Sequence, residues 1–398
     1  MVIDMVKRNI INKLQEEITQ PEIDILLGPR QVGKTTILKQ LQVCAERKGF
    51  RTAFIDLEQP QVLAGFNASD RAVVDMIKRS GQVVFIDEFQ YLENASKIFK
   101  AIYDSGAKTK IFCSGSSSLE IHKHLKESLA GRRFTFKIHP LACGELKAHS
   151  KNYPLEMYLR YGGMPGLTAT DSLERKQIIL SELLSSYVLK DVKSLVKEEN
   201  IKAFNHLMYL LAQDQGSLVS VHSLSNEINL SSKAVNRYLD ILEGTYVNFR
   251  VYSFSTNLGN ELKKSCKTYL YDLGMRNALL KDFSAISQRQ DKGVLLESYV
   301  FLKLFGNITP NKEIKFWRTK EGDEVDFILL KDRKPIPIEV KSGLKDGELP
   351  RGLRKFLQRY TKIEKAFVVN ENISEVVCQG SCAITFMTFE QFEDKFDL

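Results

Sequence analysis

The stretch Gly28-Pro-Arg-Gln-Val-Gly33-Lys34-Thr35-Thr36 constrains this chain more than any other. It matches G-x-x-x-x-G-K-[ST], the pattern of a phosphate-binding loop. An apolar run, Ile23 to Leu27, precedes it, and Ile37-Leu38-Lys39-Gln40-Leu41 follows with helical periodicity. The loop therefore joins a strand to a helix start, the context the motif requires. Glycines let successive backbone N–H groups turn inward, and the helix N-terminus adds the positive end of its dipole, so the loop suits a polyphosphate. The candidate phosphate-binding set is Gly28, Pro29, Arg30, Gln31, Val32, Gly33, Lys34, Thr35 and Thr36. Lys34 is expected to reach the β- and γ-phosphates, and the Thr35 hydroxyl to hold Mg2+.

At 398 residues the chain exceeds one ordinary core, which points to two or three domains. A hydrophobic fraction of 43% with 27% charged residues is that of a globular chain. The formal charge of +8 suits a polyanionic partner, nucleic acid included, and equally an ordinary solvated surface. Six cysteines, Cys44, Cys113, Cys143, Cys266, Cys378 and Cys382, show no CxxC pairing of the kind a zinc site uses. Asp4, Lys7 and Arg8 interrupt the N-terminal apolar residues, and no run approaches membrane-spanning length. A reducing cytoplasm and no membrane partner are expected.

Ile3, Val6, Ile10, Ile11, Leu14 and Ile18 fall at helical spacing, predicting an amphipathic helix before the first strand. Thr52–Leu57, Gln82–Ile86, Lys110–Cys113 and Phe134–Ile138 are further strand-like runs, most of them separated by helical stretches. That alternation predicts a parallel sheet covered on both faces. The run ending at Ile86 leads into Asp87-Glu88, which puts carboxylates at the C-terminal sheet edge, beside the phosphate loop. Asp87 is the expected Mg2+ partner and Glu88 the base that orients the attacking water. Ser114 and Ser116 occupy a polar turn at the same edge, where they can also cap the helix beginning near Leu119. Arg132 and Arg133 offer a fixed positive charge as an arginine finger, or a domain contact.

Residues 1–150 read as the nucleotide-binding domain, and 151–216, where the strand rhythm stops, as a helical lid. In 217–285, helices over Ser220–Ile228 and Ser231–Glu243 precede strand-like Val247–Phe254 and Lys267–Tyr271, a winged-helix pattern. Its second helix would show Ser232, Lys233, Asn236 and Arg237 to a DNA groove, although such modules also serve as packing units. Residues 286–398 hold a second constellation: Glu297 on a helix, Asp326 on one strand, and Glu339 and Lys341 on the next. Strand side chains repeat every second residue, so Glu339 and Lys341 share a face. Two carboxylates can hold a divalent ion against a scissile phosphate while the lysine orients water or stabilises developing charge.

The phosphate loop, Phe85-Ile-Asp-Glu-Phe-Gln90, the Gly115-Ser turn, Leu129-Ala-Gly-Arg132, His139-Pro-Leu141, Tyr161-Gly-Gly-Met-Pro and Tyr187-Val-Leu-Lys-Asp191 together resemble a family of prokaryotic AAA+ P-loop ATPases. The C-terminal half of that family is a domain of unknown function. Glu297, Asp326, Glu339 and Lys341 also stand at the signature positions of the PD-(D/E)xK nuclease superfamily. The resemblance implies an α/β fold with an AAA+ type parallel-sheet domain, a helical and winged-helix middle and a nuclease-like α/β domain. It implies ATP and Mg2+ as ligands and a polar γ-phosphate sensor at Ser114 or Ser116. ATP hydrolysis coupled to DNA binding or metal-dependent DNA processing is the leading expectation, with an arginine finger acting between copies of a homo-oligomer. A nucleotide-controlled switch or scaffold with a non-cleaving C-terminal domain is the alternative.

Overall fold

A computed structural model describes residues 6–66, 69–116, 129–150, 153–187, 200–255 and 266–396, excluding the Ser116 side chain. Two compact units emerge. The first comprises Met1–Leu141, Met164–Ala169 and Ile241–Val247; the second comprises Ala142–Gly163, Thr170–Asp240 and Asn248–Leu398.

The first unit is built on five strands: β1 (Ile23–Gly28), β2 (Thr52–Asp56), β3 (Val83–Asp87), β4 (Lys110–Ser116) and β5 (Arg133–Lys137). They lie in the order β2-β3-β4-β1-β5, and every pairing is parallel. β1 and β3 are buried along their whole length, as their unbroken apolar runs require in a sheet covered on both faces. The helix Lys34–Arg47 buries Ile37, Leu38, Leu41 and Ala45, the 3.6-residue stripe expected of it. The predicted N-terminal helix is present as Ile10–Glu16, with Ile11 and Leu14 buried.

The second unit carries an eight-stranded mixed sheet, ordered β12-β13-β11-β10-β9-β8-β6-β7. Its strands are β6 (Asn248–Ser253), β7 (Cys266–Leu270), β8 (Lys312–Arg318), β9 (Glu324–Lys331), β10 (Lys334–Lys341), β11 (Lys365–Asn370), β12 (Glu375–Gln379) and β13 (Cys382–Thr388). Leu353, Phe356 and Leu357 of the helix Arg351–Arg359 form a core with Trp317, Val325, Ile328 and Val368. Phe301 of the helix Lys292–Gly306 stacks on Tyr269 of β7 and Phe327 of β9.

Two expectations for the middle of the chain change. The strands anticipated as a wing do form an antiparallel hairpin, β6 with β7, but β6 also pairs in parallel with β8. The hairpin is thus one edge of the C-terminal sheet, because residues beyond 285 supply the ladder partner it would otherwise lack. In the stretch expected to be a lid, the helices Leu155–Tyr161, Leu173–Tyr187 and Ile201–Gln213 all contact the helix Leu273–Leu280 of the second unit. Residues 188–199, which include the last four residues of Tyr187–Asp191, and the cap near Leu119 lie outside the described residues.

Candidate functional site

β1 ends at Gly28, and the loop that follows needs two left-handed backbone positions, Gln31 at φ 61° and Gly33 at φ 92°. Gly33 adopts that conformation without a Cβ penalty and is the last residue before the helix Lys34–Arg47. Gly28 is required for a different reason: a Cβ there would stand 2.2 Å from the Ile138 carbonyl oxygen, and Ile138 N–H donates to Leu27 O at 2.7 Å. The Lys34 ammonium is buried and donates to Gly28 O at 3.0 Å and Pro29 O at 2.8 Å. Lys34, Thr35 and Thr36 form the first turn of the helix.

Next to this loop, β4 separates β1 from β3, and Ser114 stands beside Leu26, two residues before the loop begins. Ser114 is fully buried; its hydroxyl donates to Asp87 Oδ1 and accepts from Glu88 N–H at 3.3 Å. Asp87, Glu88 and Ser114 therefore meet as expected at the C-terminal sheet edge. Glu88 sits in the left-handed region at φ 53°, and its Oε2 accepts from the Gln90 amide. Asp56, at the end of β2, lies in register beside Asp87.

In the sequence Arg8 is only an interruption of the apolar pattern, yet it braces this site. Its guanidinium is buried and donates to Val32 O at 2.9 Å and His139 O at 2.7 Å, tying the loop to the segment after β5. Burial first, then the Lys137 and Arg8 charges, lower the His139 pKa to about 4 and keep the ring neutral. No motif marked Arg8, because its two acceptors are main-chain carbonyls far apart in sequence. Gln90 and Asp56 carried no separate signal either.

Arg132 lies elsewhere. Its carbonyl accepts from Ile23 N–H at 3.0 Å, which places it at the start of β1, whereas the loop follows the end of that strand. Five residue steps along a strand span roughly 16 Å. The guanidinium pairs with Asp104 at 2.7 Å through Nε and at 3.4 Å through a terminal nitrogen. Arg132 thus makes a structural ion pair at the edge remote from the loop of its own chain. Arg133 begins β5 at the same edge.

In the second unit the ladder between β9 and β10 reaches Phe327 and Ile338, and Asp326 Oδ2 then accepts from Val340 N–H at 2.8 Å. Against β8, Lys315 faces Ile328 and Trp317 faces Val325, so Asp326 and Phe327 together oppose Phe316. This bulge, which strand alternation could not foretell, turns Asp326 toward β10. Glu339 is buried; its Oε1 meets Lys341 Nζ at 2.7 Å, and its Oε2 has no hydrogen-bond partner. Burial, then the Asp326 charge, push the Glu339 carboxyl up to about 8. Glu339 and Lys341 line a cleft of about 340 Å³ with Glu324, Asp323, Arg351 and Gly352.

Glu297 has different partners. Its Oε1 accepts from Lys267 Nζ at 3.1 Å and from the Tyr269 hydroxyl at 2.5 Å, and Lys267 also pairs with Glu324 at 2.5 Å. Burial and the Asp326 charge raise the Glu297 pKa to about 7. Among the described residues no three Asp, Glu, His or Cys side chains are gathered closely enough to hold a metal ion. The expected set of Glu297, Asp326 and Glu339 is therefore not assembled as a three-carboxylate centre. A protein cation, Lys267, engages Glu297, and the Asp326 carboxylate serves a backbone amide. The sequence marks Lys267 and Tyr269 only as strand residues.

Residues 20–147 match the model of the AAA domain, and 152–285 and 292–389 match two domains of unknown function, DUF8612 and DUF4143. The chain is 27% identical to the uncharacterized protein MJ1544 of Methanocaldococcus jannaschii, over 88% of this chain and 81% of that protein. It is 26% identical to an uncharacterized protein of Haemophilus influenzae, over 83% and 85% respectively. Solved structures resembling it include AMPPCP-bound DnaA from Aquifex aeolicus, at TM-score 0.31 and 14% identity, covering 59% of this chain and 86% of that one. The Thermotoga maritima RuvB Holliday junction branch migration motor gives TM-score 0.33 at 14% identity, covering 62% and 90%. The likeness at these scores is loose. The N-terminal parallel sheet and its loop form a P-loop domain matching the AAA model. Among the described residues no helix is long and apolar enough to cross a membrane.

Proposed function

We propose that this chain binds and hydrolyses ATP at the Gly28–Thr36 loop and uses the nucleotide state to control DNA binding by its second unit. The observation carrying the first part is the buried link Ser114–Asp87–Glu88 on the strands next to the loop strand. The donor set fits Mg-ATP: loop amides and the Lys34 ammonium suit phosphate oxygens, while Thr35 and Asp87 suit a hard divalent ion. Thr35 and Asp87 are the residues that would hold Mg2+, which would supply positive charge against the charge that develops on the phosphates. Glu88 orients the attacking water, and Ser114 keeps Asp87 aimed toward the loop. Lys34→Ala is expected to abolish ATP binding, whereas Glu88→Gln should bind ATP and turn it over slowly. ATP affinity measured beside turnover decides this, and equal loss of affinity in both variants would contradict the assigned roles.

For the second unit, the pairing of Lys267 with Glu297 and Glu324 favours the non-cleaving reading, in which the nuclease-like sheet holds DNA through backbone contacts. The exposed Ser232, Lys233, Asn236 and Arg237 provide one face for such contact. Metal-dependent cutting is a second reading because Glu339 Oε2 is buried without a hydrogen-bond partner while Glu339 and Lys341 line a cleft.

A further inference from the structure

Glu88 is the carboxylate that must present an oxygen to water, and a glutamate side chain with three free torsions does not do this unaided. Its main chain is already constrained: φ is 53°, and the N–H donates to the Ser114 hydroxyl at 3.3 Å. Its carboxylate is constrained by Gln90, whose Nε2 donates to Oε2 and leaves the geometry of Oε1 defined. Gln90 belongs to the short 3-10 turn Phe89–Tyr91, and buried Phe89 anchors that turn with its ring 6.0 Å from that of Phe99. The Gln90 amide is itself confined by β4. A Cβ on Gly115 would stand 2.9 Å from Gln90 Oε1 and 2.7 Å from Phe89 Cε1, so only glycine leaves that space.

We infer that Gln90 is a positioning residue for ATP hydrolysis, holding one oxygen of Glu88 so that the other faces the attacking water. This rests on the ATPase reading above. Gln90 touches neither nucleotide nor water in this scheme, and its whole effect passes through Glu88. The loss on removing it is therefore bounded by the loss on removing Glu88.

The test is a double-mutant cycle on the full chain. Gln90→Leu removes the amide, and the isosteric Gln90→Glu keeps its shape while replacing the donor with a second carboxylate. Each should lower kcat by about 10- to 100-fold, less than Glu88→Gln does, and leave ATP affinity within about threefold of wild type. In a Glu88→Gln background the same substitutions should add less than about a threefold further loss, since the route through Glu88 is already closed. Should Gln90→Leu fail to fold, Gln90→Glu decides alone. Unchanged or raised kcat in the single variants would overturn the inference, as would an equal loss in both backgrounds, which marks a merely structural role. Wild-type protein that binds ATP without turning it over would overturn the hydrolysis reading and this one with it. Turnover that depends on Glu88 and ignores Gln90 would remove the positioning role alone.

Discussion

The Lys267 ammonium is almost fully buried and shared between Glu297 and Glu324, so Glu297, unlike Glu324 with its Arg318 pair, depends on a cation supplied by a strand thirty residues away. Breaking a buried pair leaves an uncompensated charge, and Lys267→Met is expected to cost about 3–5 kcal/mol of unfolding free energy in a denaturant titration. Adding Glu297→Gln to that variant should recover part of the loss; a purely additive double variant would contradict the pairing. Glu339 makes a separate prediction through pH. Its folded-state carboxyl lies near 8, above the unfolded glutamate value, so the folded chain binds the extra proton between the two. Its contribution to stability is therefore complete below the unfolded value and is lost as pH rises toward 8. Thermal midpoints should accordingly fall less steeply from about pH 5 to 8 in Glu339→Gln than in wild type, and parallel curves would rule the assignment out.

Among the elements, the Gly162-Gly163 turn and the helix Leu273–Leu280 are fitted to each other more tightly than any motif suggested. Asp272 accepts from Gly163 N–H at 2.7 Å and from Met275 N–H at 2.9 Å, and Asn277 donates to the Leu159 and Arg160 carbonyls at 2.9 Å. Gly162 is left-handed at φ 70°, and a Cβ on Gly274 would stand 2.0 Å from Tyr161 O. The motif Tyr161-Gly-Gly-Met-Pro stands in the sequence without any sign of its partner, which lies more than a hundred residues on. Gly274→Ala must displace backbone and is expected to cost about 1–3 kcal/mol, read from the urea midpoint. A midpoint equal to wild type would mean that this contact yields freely. The bulge at Asp326–Phe327 belongs to the same scale. It changes which way Asp326 points, and its signal is the register of two neighbouring strands rather than anything within its own.

For the molecule as a whole, Arg132 lies at the sheet edge away from its own loop, so a finger role requires a second copy. If that role operates, turnover per chain should rise with protein concentration and Arg132→Ala should abolish the rise; activity independent of both restricts Arg132 to its Asp104 pair. Linear, branched and single-stranded DNAs incubated with Mg2+ or Mn2+, with and without ATP, separate the two readings of the second unit. The non-cleaving reading expects binding that weakens steeply with salt and no cutting, whereas cutting lost in Asp326→Ala and Glu339→Ala supports the metal-dependent one. Strand and helix periods and the phosphate-loop spacing are local properties, so the parallel sheet and the meeting of Asp87, Glu88 and Ser114 were legible in the chain alone. So was the placement of Glu339 beside Lys341, two residues apart on one strand. Arg8 on the loop carbonyl, Gln90 on Glu88, Lys267 between two carboxylates, and the joining of the β6–β7 hairpin to the C-terminal sheet were decided only by tertiary structure. Each depends on hydrogen bonds, ion pairs or strand pairing whose partners no local pattern specifies, and that distant partner is the physical reason the sequence could not disclose it.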